Sequence, residues 1–338
     1  MENLVYVDDS LPGITRRRAG KGWAYYDPSG ALIRNAKEKK RLNAIALPPA
    51  YTDAWFCPAA NGHILATGFD DAGRKQYRYH PEFRSQRESA KYDACAAFGK
   101  RLPLIRKRVE EDIAVRGVPR EAALAAVVRL LDLSAIRIGN AHYARTNDSY
   151  GATTLRSDHV EVGRRRLALN FVGKGGKEHE LEVEDADLAK AVRRMADLGA
   201  DDDHLFRYAD DAGDIRPVTA ADVNAYLRET MGADFTAKHF RTFHASSLAF
   251  ERLATGTGRV KLAEMLDHVA EHLGNTPAIA RKSYIHPALI ARIDGQEEWR
   301  AALTLPRQTR WLSRAERGLI AFLEECGSAQ GYLGGEQS

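Results

Sequence analysis

Near Ser89 the chain changes its period. Before that point short apolar runs are broken by clusters of Gly, Pro, Asn and Asp; beyond it, apolar residues recur at three- and four-residue spacing over long stretches. At 338 residues the chain is longer than one hydrophobic core usually serves. The expectation is an α+β protein: a small β-rich domain over 1–88, a larger and mainly helical domain with a β-hairpin over 89–326, and a frayed tail over 327–338.

In the first domain Trp23-Ala24-Tyr25-Tyr26 runs into the turn cluster Asp27-Pro28-Ser29-Gly30. A helix with a basic face is expected from Asn35 to Ala46, stopped by Pro48-Pro49. Trp55-Phe56-Cys57 then leads through Asn61-Gly62, a two-residue hairpin signal, into a strand from His63 to Thr67. After the turn Asp70 to Gly73, a strand from Arg74 to His80 would place Lys75, Tyr77 and Tyr79 on one face and Gln76, Arg78 and His80 on the other. Such a ribbon is too polar for a core strand and suits a surface laid against nucleic acid.

The net charge of +4 hides a split. Residues 1–108 hold 20 Lys and Arg against 11 Asp and Glu, a balance of +9; the rest of the chain holds 30 against 35, or −5. That asymmetry fits a polyanionic partner for the first domain, or a solvated basic face. Hydrophobic residues at 44% and charged residues at 28% describe an ordinary soluble protein. No apolar run approaches the roughly 18 to 20 residues of a membrane span, and the first residues lack the pattern of a secretory signal. Cys57, Cys95 and Cys326 show no Cys-x-x-Cys spacing, so neither a disulfide framework nor a metal site is expected, and a reducing, cytoplasmic compartment fits.

In the second domain helices are expected at Ala90 to Val109 and Pro119 to Leu133. A strand is expected from Thr153 to Val162, then a hairpin through Leu167, Leu169 and Phe171, the turn Gly173-Lys174-Gly175-Gly176, and His179 to Val183. Capping boxes at Thr219 to Asp222 and Ser313 to Glu316 start further helices. Five segments carry polar residues that packing alone would not place. Arg137 lies between two isoleucines, Lys174 tips the Gly-rich hairpin, and Lys238 and Arg241 share a helical face. Asn275 follows Gly274, and Tyr284 comes nine residues later. The Gly-rich turn lacks the spacing of a phosphate-binding loop, and a strand rather than a helix follows it, so no nucleotide site is expected.

The ordered set Arg, hairpin Lys, Lys-x-x-Arg, polar residue and Tyr resembles the type IB DNA topoisomerases, particularly their compact bacterial and poxvirus-like branch. Gly73-Arg74-Lys75-Gln76-Tyr77 and Tyr79 resemble that family's DNA-contacting strand, so the likeness runs from about residue 20 to 300. It implies the fold shared by tyrosine recombinases and these topoisomerases. It further implies Tyr284 as nucleophile, Arg137 and Arg241 on the scissile phosphate, Lys174 as general acid and Lys238 as its helper. Arg74, Lys75, Gln76, Tyr77, Tyr79 and Tyr143 would contact DNA. The family usually has His where this chain has Asn275, so a neutral donor would stand there. A monomer clasping duplex DNA is implied, with no cofactor, nucleotide or metal.

Two rivals differ in predictable ways. Tyrosine recombinases favour His three residues before the second Arg; here that position is Lys238, and His239 falls one residue late. A non-catalytic DNA-binding relative would not need Arg137, Lys174, Arg241 and Tyr284 together.

Overall fold

The computed structural model describes residues 4–199 and 203–333. The chain divides into two compact units, Met1–Ala90 and Lys91–Ser338. The mixed α+β architecture is as expected, with a sheet in the first unit and a helical core in the second.

In the first unit β1 (Ile14–Ala19), β2 (Gly22–Tyr26), β3 (Thr52–Phe56), β4 (Ile64–Phe69) and β5 (Lys75–Tyr79) form one antiparallel sheet in the order β2-β1-β3-β4-β5. Helix α1 (Ala36–Ala44) starts where the Asn35 side chain accepts from the backbone N–H of Glu38. It buries Leu42 in a small core with Ile14, Tyr25, Leu47, Phe56 and Ala66. Asn61-Gly62 does not make a two-residue turn, since β3 ends at Phe56 and β4 begins at Ile64. The backbone there is taken by the N-terminal segment: Val5 N donates to Asn61 O (2.9 Å) and His63 N donates to Val5 O (2.8 Å). Strand β5 is an edge strand. Core-facing Ala66 pairs with Arg78 and Thr67 with Tyr77, so Lys75, Tyr77 and Tyr79 face away from α1.

Helix α2 (Pro81–Ile113) begins well before Ala90 and runs through the division between the units. Its first turns carry no apolar stripe; Pro81 opens the helix and Arg84 pairs with Glu88 one turn on (3.2 Å). Apolar periodicity cannot register such a segment. Helix α3 (Arg120–Ser134) is Ala-rich, buried on nearly every side, and packs with α5 (Ala186–Ala196), α6 (Ala220–Met231) and α7 (Ala237–Thr255). A short α4 (Ala141–Asn147) follows.

The expected strand from Thr153 survives only as β6 (Val160–Val162); two 3₁₀ turns, Ala152–Thr154 and Ser157–His159, precede it. The reason is tertiary, because Ala152 N and Thr153 N donate to Arg137 O and Ile138 O (2.8 Å each) instead of to a ladder. β6, β7 (Arg166–Val172) and β8 (Glu178–Glu184) make an antiparallel sheet. A two-stranded ribbon, β9 (Arg207–Ala209) and β10 (Ile215–Pro217), precedes α6. The rest is helical: α8 (Leu262–Leu273), α9 (Pro277–Ser283), α10 (Pro287–Ala291), α11 (Gln296–Ala302), α12 (Arg314–Cys326) and α13 (Gln330–Leu333). Both capping boxes form, at Thr219 for α6 and at Ser313 for α12.

The tail expected to fray is docked over part of its length. Asp93 accepts from Ala329 N (2.7 Å), and α13 follows; residues 334–338 lie outside the described residues. Arg106 on α2 joins Asp132 on α3 and Glu316 on α12 (2.7 Å each), and His244 on α7 lies 3.1 Å from Asp132. Paired in this way, the buried charges tie four helices together.

Candidate active site

Helix α3 ends at Ala135 in the left-handed conformation (φ 51), and the chain turns into the segment that carries Arg137. The backbone bonds from Ala152 and Thr153 pin that segment. Gly151 comes so close that a Cβ on it would stand 2.6 Å from Arg137 O. Ile136 is buried, so the half-buried guanidinium of Arg137 leaves an apolar surface, as the flanking isoleucines suggested. Its Nη2 donates to Asn275 Oδ1 (2.8 Å).

Arg241 lies one turn into α7 and is only 3% exposed. Its Nη1 donates to Ala135 O, and its Nη2 donates to Leu273 O (3.1 Å). These carbonyls belong to the C-terminal ends of α3 and α8, where helix dipoles leave partial negative charge. Helix α8 closes on Gly274 in the left-handed region (φ 60), which turns Asn275 back so that its N–H donates to Ala270 O (2.8 Å). Asn275 is buried. Its Nδ2 and Arg241 Nε are buried donors without a protein partner. An unmet buried donor costs about 1–3 kcal/mol, and both of these donors could be met by an acceptor entering the patch.

Tyr284 terminates α9. The carbonyls there are gripped in turn: Tyr92 OH donates to Lys282 O (3.1 Å), Lys91 Nζ to Ser283 O (3.0 Å), and Ser246 Oγ to Tyr284 O (3.4 Å). The Arg241 guanidinium sits 4.7 Å from the centre of the Tyr284 ring. Burial alone would push the phenol pKa up. The charge of Arg241, with the charges of Arg137 and Lys238, outweighs burial and brings it below its ordinary value. Burial, with Arg137 adding to it and the phenol opposing, lowers the Arg241 pKa.

Arg137, Arg241, Asn275 and Tyr284 therefore lie in one patch. Lys238 is exposed one turn before Arg241 and reaches the patch through its charge. Lys174 is exposed at the hairpin tip and makes no hydrogen bond or ion pair with the patch among the described residues. Lys177 does, its Nζ donating to Asn275 O (3.4 Å). His179 is buried beside it. Neither Lys177 nor His179 was singled out from sequence, although the inward alternation of Phe171, His179, Leu181 and Val183 marked the imidazole as facing in. Lys91, Tyr92 and Ser246 carried no local signal at all.

In the first unit, Arg74 pairs with Asp70 (2.8 Å) and Lys75 with Asp9 (2.8 Å), while Gln76 Nε2 donates to Asp70 Oδ2 (2.9 Å). The rings of Tyr77 and Tyr79 stack at 5.7 Å with 7° between their planes. Gln76 and Tyr77 thus stand on opposite faces of β5. Tyr143 lies on α4 in the second unit and is 38% exposed. Among the described residues no group of three or more His, Cys, Asp or Glu could hold a metal ion, and no helix is long and apolar enough to cross a membrane.

Residues 80–302 match the family model of the eukaryotic DNA topoisomerase I catalytic core, and residues 22–70 match that of the bacterial DNA topoisomerase IB N-terminal domain. The chain belongs to the type IB DNA topoisomerases. The DNA topoisomerase 1B of Acanthamoeba polyphaga mimivirus is 29% identical over 289 residues, which cover 81% of this chain and 85% of that one. The DNA topoisomerase 1B of vaccinia virus is 21% identical over 272 residues, covering 79% and 82%. A solved XerH site-specific recombinase bound to palindromic difH superposes with a TM-score of 0.38 at 14% identity over 60% of this chain and 51% of that one. As a type IB topoisomerase the protein acts on duplex DNA, nicking one strand, letting it rotate and resealing it without ATP.

Proposed function

We propose that Tyr284 is the nucleophile of this topoisomerase and that Arg137, Arg241 and Asn275 hold the scissile phosphate. The observation that supports this most directly is the Tyr284 ring beneath the Arg241 guanidinium at 4.7 Å, beside the Arg137–Asn275 bond. A phenol with an ordinary pKa near 10 is a poor nucleophile at neutral pH; cations that lower it also draw the phosphate in.

In the forward step the Tyr284 oxygen bonds to phosphorus, the phenol proton leaves to water, and the bond to the 5′ oxygen breaks. Charge builds on the non-bridging oxygens, where Arg137 and Arg241 donate permanently charged N–H groups and Asn275 donates from Nδ2. The guanidiniums supply the stabilisation that a metal would otherwise give. The departing 5′ oxygen takes its proton from Lys174, with Lys238 assisting. Lys174 reaches the phosphate when its hairpin closes on DNA; left-handed Gly175 and Gly176 (φ 80 and 74) shape the turn that carries it. Resealing reverses each step. One phosphodiester replaces another, so no nucleotide is consumed.

Arg74, Lys75, Tyr77, Tyr79 and Tyr143 contact DNA, with Gln76 reaching it from the other face of the edge strand. The enzyme acts as a monomer in the cytoplasm, which fits its three free cysteines. Relaxation of an arbitrary supercoiled plasmid in EDTA, without nucleotide, tests these assignments. The native chain relaxes it and leaves a denaturation-resistant protein–DNA adduct, whereas Tyr284→Phe does neither. An adduct formed by Tyr284→Phe refutes the assignment of the nucleophile, and a requirement for paired specific sites would favour a recombinase.

A further inference from the structure

The hairpin carrying Lys174 and the helix end carrying Asn275 come from distant parts of the chain, and one side chain separates them. His179 stands on β8 directly opposite Phe171, and the two rings stack at 4.9 Å with 7° between their planes. A Cβ on Gly173, at the base of the hairpin turn, would lie 2.6 Å from His179 Cδ2 and Nε2. A Cβ on Gly274 would lie 2.3 Å from His179 Cε1. Both neighbours are therefore glycines where no larger residue fits, and the imidazole fills the space between them. Lys177 closes the same junction from the other side by donating to Asn275 O (3.4 Å).

We infer that His179 is a positioning residue: its ring is the spacer that sets the Lys174 hairpin against the Gly274-Asn275 end of α8. Among the described residues the ring makes no hydrogen bond, so its role is one of shape and not of polar linkage. Burial, helped by the charges of Arg137, Arg241 and Lys177, pushes the imidazole down to about 4. At neutral pH the spacer is uncharged and adds no repulsion to the surrounding cations.

The inference rests on Lys174 being the general acid, and the experiment keeps the two separable. Single-turnover cleavage is measured on a duplex with the ordinary 5′ oxygen leaving group and on one with sulfur in that position, since a thiolate departs without a proton. On oxygen, His179→Ala slows cleavage by about 10², the loss typical of a reacting group misplaced by about an ångström. On sulfur it returns to within about threefold of wild type, because the acid is no longer needed. His179→Phe, which keeps a flat ring without nitrogens, recovers most of the loss on oxygen. Gly173→Ala, whose new methyl would strike the ring, is slow in the native background and adds no further loss to His179→Ala.

If Lys174→Ala is restored by sulfur and His179→Ala is equally slow on both substrates, the spacer role is overturned while the acid stands. If Phe is no better than Ala, the nitrogens matter and the positioning role fails. If Lys174→Ala is itself not restored by sulfur, the acid assignment falls and this inference falls with it.

Discussion

Two substitutions at Asn275 separate a residue that touches the phosphate from one that merely holds Arg137. The side chain makes one protein bond, accepting from Arg137 Nη2 at 2.8 Å, and leaves Nδ2 buried and unpaired. Asn275→Ala removes both functions. Losing one preorganised donor to a transition-state oxygen costs about 3 kcal/mol, or about 10² in cleavage rate. Asn275→Asp keeps the size and strengthens the bond from Arg137, since a charge-assisted hydrogen bond is about twice as strong as a neutral one. It also sets a carboxylate where the proposed mechanism brings the phosphate. At about 4 Å and an effective dielectric of about 20, two unit negative charges repel by about 4 kcal/mol. Pairing with Arg137 offsets part of this, and about 1.4 kcal/mol remaining makes Asp roughly tenfold slower than Ala. The expected order in single-turnover formation of the covalent adduct is therefore Asn, then Ala, then Asp. A residue that served only to hold Arg137 would give the reverse of the last two. Asp cleaving as fast as Ala, or faster, refutes phosphate contact by Asn275.

Arg241→Gln removes the largest of the charges that bring the Tyr284 phenol down and leaves the burial that pushes it up, opposed only by Arg137 and Lys238, so the phenol titrates higher than in the native protein. Absorbance titrations of the native protein and of Arg241→Gln, each with and without Tyr284→Phe, show this by difference; a phenol that does not move upward refutes the role of Arg241. For stability, burial raises the Asp132 pKa but Arg106 and His244 outweigh it, holding the carboxyl well below its ordinary 3.8. A carboxyl with a depressed folded pKa stabilises the fold above its unfolded value and loses that contribution as pH falls below it. Asp132→Asn is thus expected to cost about 3–5 kcal/mol at pH 7, leaving Arg106 underpaired, with the gap to wild type narrowing below about pH 4. Urea midpoints across pH check this, and a gap that widens in acid refutes it.

What could be seen in the sequence was whatever a local pattern records. Strand β5 showed in its alternation, α6 and α12 in their capping boxes, and the hairpin in its glycines. The site candidates were visible as polar residues in apolar or Gly-rich settings. What could not be seen depends on partners far along the chain. Thr153 has a strand former's side chain, yet its N–H goes to Ile138. Asn61-Gly62 has hairpin chemistry, yet Val5 takes its backbone. The first turns of α2 carry a single large apolar residue, Phe83, so no periodicity announces them. The Arg137–Asn275 bond and the place of His179 between Gly173 and Gly274 exist only once α8 and the hairpin have packed.

The same packing explains how cations can be concentrated here without being cancelled. Among the described residues no carboxylate pairs with Arg137 or Arg241, although elsewhere the protein satisfies buried arginines with acids, as Arg106 shows. Arg241 is held by backbone carbonyls at two helix C-termini and Arg137 by a neutral amide. If Arg137 and Arg241 hold the scissile phosphate as proposed, a full negative charge at either position would compete with it and would have to be displaced in every turnover. Carbonyl dipoles and an amide oxygen offset enough of the desolvation to keep the guanidiniums in place, yet leave most of their charge for an incoming anion. The lowered phenol pKa follows from the same surplus: the Tyr284 ring lies against the Arg241 guanidinium and feels its charge. Under the proposed assignment, a site built this way is set for an anion before DNA arrives, as preorganised charge stabilisation requires.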